Sequence, residues 1–163
     1  MKRILYGTLS ILALAVLWFG YYALSPLLRI VALDEPVPDQ AQIATHTETD
    51  TAVETEGKRE MFAYVVGTAG HSATGTVRVL EAEGKKYVRY EDFKTINGPD
   101  LYVYLAKDLE AKEYLDLGVI RATEGNVNYE IPEGIDLTQY QYVLTWCKQF
   151  GVLFNYADIS EIR

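Results

Sequence analysis

The chain has 163 residues, 49% of them apolar, and 23 acidic against 15 basic side chains give it a net charge of −8. That length accommodates one ordinary domain plus an appendage, not two full domains. The acidic balance, with no Lys/Arg cluster interleaved with aromatics, excludes nucleic acid as a partner, because a phosphate backbone would be repelled.

From Ile4 to Leu28 there is no charged residue, in the run ILYGTLSILALAVLWFGYYALSPLL. As a helix it spans about 37 Å at about 1.5 Å per residue, against a hydrocarbon core of about 30 Å. Residues 1–33 are therefore expected to be an N-terminal transmembrane signal-anchor, with the membrane as a partner. Lys2 and Arg3 precede the run and Asp34 and Glu35 follow it. The positive-inside rule then places the N-terminus in the cytoplasm and the C-terminal domain outside, as a single-pass protein of the cell membrane. Trp18, Tyr21 and Tyr22 sit near the outer end, where amphipathic rings favour the interface. A cleaved signal peptide competes with this reading. Ala23-Leu24-Ser25 offers small residues for it, but Pro26 would follow the cut, and the run exceeds the usual ~7–15-residue signal core.

Residues 34–60, DEPVPDQAQIATHTETDTAVETEGKRE, carry eight acids against Lys58 and Arg59 and no aromatic residue. Such a segment buries too little apolar surface to offset chain entropy and is expected to be a disordered, self-repelling acidic tether. His46 lies within it among threonines and glutamates and is assigned no role.

From Met61 onward, short runs rich in Val, Tyr, Ile and Phe alternate with Gly, Asn, Asp and Pro. Strands are predicted over 61–67, 74–80, 85–93, 100–106, 117–123, 126–131, 142–147 and 151–157. Polar and apolar residues alternate in TVRVL and YVRYEDF, as on half-buried strands. LEAKEYL (109–115) is the one short helical candidate, and a turn is predicted at DLTQY (136–140). The expected fold class is all-β, an antiparallel β-sandwich of about 7–8 strands over residues 61–163, preceded by one transmembrane helix.

Standard catalytic signatures are missing: there is no Gly-rich phosphate loop, HExxH, CxxC pair or GxSxG. The β region holds one histidine, His71, and the chain one cysteine, Cys147. One cysteine forms no intramolecular disulfide, and a blue-copper centre built on it would be short of a histidine unless His46 folded back. His71 adjoins Ser72, but neighbours on an extended chain point apart and make no catalytic dyad. A classical enzyme is the least supported class.

Four stretches taken in order, GTAGHSATGTVRV (67–79), YEDFKTINGPDLYVYL (90–105), DLGVIRATEGNVNYEIP (116–132) and YVLTWCKQFGVLFNYADI (142–159), resemble the DM13 domain. The NGPDLYVYL, GNxxYEIP and WCKxF pieces are the most specific. The resemblance implies a β-sandwich of membrane-anchored or secreted proteins, acting as an electron-transfer or redox module centred on its cysteine.

Cys147 is the proposed redox centre on that reading. A free cysteine is also a small hydrophobe at home in a core, and both readings stay open. Val143, Thr145 and Cys147 share one face of their strand, and Lys148 follows on the other. His71 lies in a Gly-flanked loop, either structural or a second ligand. Asn97-Gly98-Pro99-Asp100 reads first as a turn, and second as a ligand mouth offering the Asn97 amide and the Asp100 carboxylate. The cofactor is unassigned. A redox metal or haem is the class such a centre would take, with Cys147 as axial thiolate and His71 as its partner, but no CxxCH attachment site is present. Tyr102 and Tyr104 share a face that reads as packing. The functional expectation is an extracytoplasmic, membrane-tethered electron-transfer module with a redox partner. The alternative is a non-catalytic cell-surface binding or adhesion module that meets a surface ligand through an aromatic face and the Asn97–Asp100 loop.

Overall fold

The computed structural model describes residues 2–25, 29–39, 42–43 and 61–163. In chain order its elements are helix α1 (Lys2–Leu24), β1 (Ala32–Asp34), β2 (Gln42–Ile43), β3 (Ala63–Tyr64), β4 (Val66–Gly67), β5 (Ala73–Ala82), β6 (Lys85–Thr95), β7 (Leu101–Ala106), β8 (Tyr114–Val119), β9 (Glu124–Ile131), β10 (Tyr142–Cys147) and β11 (Val152–Asp158), with a 3₁₀ turn at Leu137–Gln139. The strands form two sheets. In the first the order is β1-β9-β6-β5-β2, with β3 also on β5; in the second it is β4-β11-β10-β7-β8. Every pairing is antiparallel except β1 on β9, which is parallel.

Alternation along the strands builds the core. Val77 and Val79 of β5 and Val88 and Tyr90 of β6 point inward from one sheet, and Val103, Leu105 and Val143 answer from the other. Burying a side chain of this kind is worth about 1.5–3 kcal/mol, so one shared apolar layer holds the two sheets together without a disulfide. The chain is mostly β in two sheets, with eleven strands among the described residues where about 7–8 antiparallel ones were expected. The N-terminal segment adds two strands to the first sheet, and Val65 divides the run 61–67 into β3 and β4.

The transmembrane helix expected before the domain is corrected. Helix α1 forms, but among the described residues no helix is long and apolar enough to cross a membrane. Gly7, Thr8, Ser10 and Gly20 dilute its apolar character. The helix expected at 109–115 is also absent. The Asp108 carboxylate accepts the N–H groups of Glu110 and Lys112, and Ala111 takes a positive φ of 51°, so the chain closes as turns and enters β8 at Tyr114.

Residues 44–60, most of the expected tether, lie outside the described residues. Before them the chain is fastened to the first sheet. Leu33 packs against the core, and the N–H of Glu35 bonds the Asn126 carbonyl at 2.8 Å. The Glu35 carboxylate takes the Asn128 N–H at 2.7 Å and pairs with Arg121. Beneath it Arg89, 4% exposed, donates to the carbonyls of Glu35 and Pro36 at 3.1 Å each and pairs with Glu91 at 2.9 Å. A buried guanidinium survives only when its donors are satisfied, and residues 35 and 36 supply two of the acceptors.

Candidate functional site

Cys147, the Asn97–Asp100 loop and His71 gather at one end of the sandwich, around the ring of Phe154. The register of β10 on β11 explains how that ring arrives there. Thr145 faces Asn155 and Trp146 faces Leu153, so Phe154 is an extra residue, a bulge. A bulge re-aims one side chain against the alternation of its strand. Phe154 therefore turns inward beside Asn155 and packs with Leu101 and Cys147.

Cys147 ends β10 and is 1% exposed. Its thiol donates to the Pro99 carbonyl at 2.9 Å, and Leu101, Phe154, Ile96 and Ile120 surround it. The loop carrying Pro99 closes over it because Gly98 has no side chain. A Cβ there would lie 2.7 Å from Phe154 Cζ. Asn97 shapes the loop: its Oδ1 accepts the Gly98 N–H at 2.9 Å, and its amide donates to the Arg29 carbonyl at 3.0 Å. Asp100 takes a positive φ of 63°, its carbonyl accepts the Lys148 N–H at 3.0 Å, and its side chain is exposed. The loop thus uses the Asn97 amide for its own architecture.

His71 meets the same ring. Its imidazole stacks on Phe154 at 4.0 Å between centroids and 28° between planes. The Thr68 hydroxyl has one proton, for which the carbonyls of Leu153 at 2.7 Å and Phe154 at 3.0 Å compete. His71 Nδ1, 3.1 Å from that oxygen, is therefore the donor of the pair. Phe154 is the neighbour that His71 and Cys147 share. Among the described residues no group of three His, Cys, Asp or Glu side chains converges as a metal site, and these residues by themselves do not fit a multi-ligand metal centre at Cys147.

Lys148 faces away from the thiol. Its ammonium sits 4.5 Å from the Tyr102 ring centroid and 3.7 Å from Asp116. Tyr102 and Tyr104 lie on the outer face of the second sheet with Leu144, Trp146 and Tyr156, and Leu109 and Ala111 of the following loop pack over them. Tyr104 is fully buried and stacks on Tyr114 at 4.1 Å, and burial raises its phenol above the ordinary value. Packing is the role the structure gives this face.

Three participants escape a reading of residue types alone: Phe154, Thr68 and the Pro99 carbonyl. A signal for the first is present in VLFNYA, where three successive apolar residues, Val152, Leu153 and Phe154, break the alternation expected of a half-buried strand. The other two act through a backbone atom and a turn hydroxyl, which carry no chemical signature in sequence.

The description Electron transfer DM13 belongs to a family model that matches residues 64–159, more than half of the chain. No curated protein and no solved structure matches the chain. The matched segment contains both sheets' main strands together with His71, the Asn97–Asp100 loop and Cys147, and the chain belongs to the DM13 family.

Proposed function

We propose that this protein is an extracytoplasmic electron-transfer module whose redox centre is Cys147, working by thiol–disulfide exchange with a partner protein. The observation that carries this reading is the Cys147 thiol held against the Pro99 carbonyl beneath a single loop. A thiol donating to a carbonyl is protonated and unreactive, since the thiolate is the nucleophile. Displacement of the Asn97–Asp100 loop removes the acceptor and opens the thiol to solvent. The thiolate, its proton released to water, then attacks one sulfur of a partner disulfide. A mixed disulfide forms at Cys147 and the partner's second sulfur leaves as thiolate. A thiol of a second, reduced partner then attacks the Cys147 sulfur and releases the first partner as a dithiol, and the second partner's other thiol displaces Cys147, closing its own disulfide. Two electrons thus pass from the second partner to the first, with no group beyond the three proteins' sulfurs. The location outside the cytoplasm is supported by Lys2 and Arg3 preceding an uncharged run, the order of an export signal.

The test is the reaction of the full chain with an aromatic disulfide reagent and with oxidised glutathione, followed by mass spectrometry. One slow adduct is expected, at Cys147, absent in Cys147→Ser, with a rate well above that of global unfolding. An adduct that forms only as fast as the protein unfolds would sink the proposal. A Cys147→Ser variant with an unchanged cellular phenotype would point instead to a binding or adhesion module.

A further inference from the structure

A patch of polar side chains lies inside the sandwich, close behind the site. Thr145 of β10 and Asn155 of β11 face one another in the ladder, and both are 0% exposed. The Asn155 amide crosses between the sheets and donates to Thr95 Oγ1, at the end of β6, at 3.0 Å. Tyr90, also of β6, is buried, and burial raises its phenol above the ordinary value while the Thr145 hydroxyl beside it offsets part of the rise. Three atoms of this patch, Tyr90 Oη, Thr145 Oγ1 and Asn155 Oδ1, have no hydrogen-bond partner among the described residues. The one other such atom, Tyr104 Oη, belongs to the outer face of the second sheet.

Buried polar atoms without partners are rare in native proteins, and three together in one core call for a ligand. Its chemistry is set by the three atoms. Two hydroxyls each have a proton to give, and one amide oxygen only accepts. No carboxylate stands among them, so a metal cation would meet only neutral oxygens in a medium that penalises unpaired charge. A small neutral molecule with two lone pairs and at least one proton matches the set.

We propose that one internal water molecule is bound between the sheets, accepting from the Tyr90 and Thr145 hydroxyls and donating to Asn155 Oδ1. Three hydrogen bonds are the usual complement of a buried structural water. The water joins the segments that build the site. Thr145 precedes Cys147 by two residues on the same face, Asn155 follows Phe154, and Thr95 precedes Asn97 by two. Its presence is independent of any redox role for Cys147.

Magnetic relaxation dispersion of ¹⁷O-enriched water counts long-lived internal waters in the full chain. The wild type is expected to hold one more than Thr145→Val and one more than Tyr90→Phe, both of which remove a donor while nearly keeping its shape. Electron density for the wild type is expected to show a water within hydrogen-bond distance of all three atoms. Equal counts in wild type and variants overturn the proposal, as does density with Tyr90 and Thr145 bonded directly and nothing between them. Should Thr145→Val fail to fold, Tyr90→Phe and the wild-type density decide the matter by the same criteria.

Discussion

Gly98 shows at the scale of one residue how tightly the cover over Cys147 fits. A methyl group there meets the Phe154 ring at 2.7–2.8 Å and Leu101 Cδ2 at 3.3 Å. Phe154 itself packs on both His71 and the Cys147 cluster, so the ring has little freedom to yield. Overpacking of this kind costs about 1–3 kcal/mol. Gly98→Ala is therefore expected to lower stability by that amount in a denaturant melt and to speed modification of Cys147 by a thiol reagent. A variant that loses stability while its thiol reacts no faster would show that the loop is not the cover.

Among the elements, β1 has a role larger than its three residues. It pairs in parallel with β9 from Ala32 opposite Glu124 to Asp34 opposite Asn126, and the chain beyond it supplies acceptors to the buried Arg89. The approach is close enough that a Cβ on Gly125, whose φ is +113°, would fall on the Leu33 carbonyl oxygen. Gly125→Ala is expected to expel β1 and leave Arg89 without two of its partners. Removing partners from a buried charge costs about 3–5 kcal/mol. Hydrogen exchange at the Glu35 and Thr123 amides, which bond across this junction, checks the outcome. Protection that survives the substitution would mean that β1 stays docked and that the missing side chain of Gly125 is not what admits it.

At the scale of the whole molecule, buried phenols tie stability to alkaline pH. Burial raises the pKa of Tyr90, Tyr104 and Tyr129 above the ordinary value near 10.0. The folded state thus holds these protons more tightly than the unfolded state does. Their contribution is complete below about pH 10 and is lost as pH rises through the range where only the unfolded chain ionises. Each such group contributes a slope of about 1.4 kcal/mol per pH unit in that window. Urea melts between pH 9 and 11.5 are expected to show this decline, and Tyr104→Phe to make it shallower. A stability that stays flat up to pH 11.5 would contradict the burial of all three.

The β character was legible because alternation and turn residues are local: LYVYLA and YVLTWC each divide into two faces, although the alternation does not say which of them is inward. β10 runs over 142–147, the predicted range. The candidate helix at 109–115 failed because an Asp108 carboxylate competing for backbone N–H groups outweighs weak propensity. The residue types of the site were likewise readable, in NGPD and in the one cysteine. Their conjunction was not. A bulge at Phe154, an imidazole bonded to Thr68 and a carbonyl placed by Pro99 arise from pairing between strands far apart in the chain. The amino acids alone settle which groups are present and which face of a strand they share. Only the folded chain decides that Cys147 is sealed rather than open, because burial is a property of what the rest of the molecule places on top.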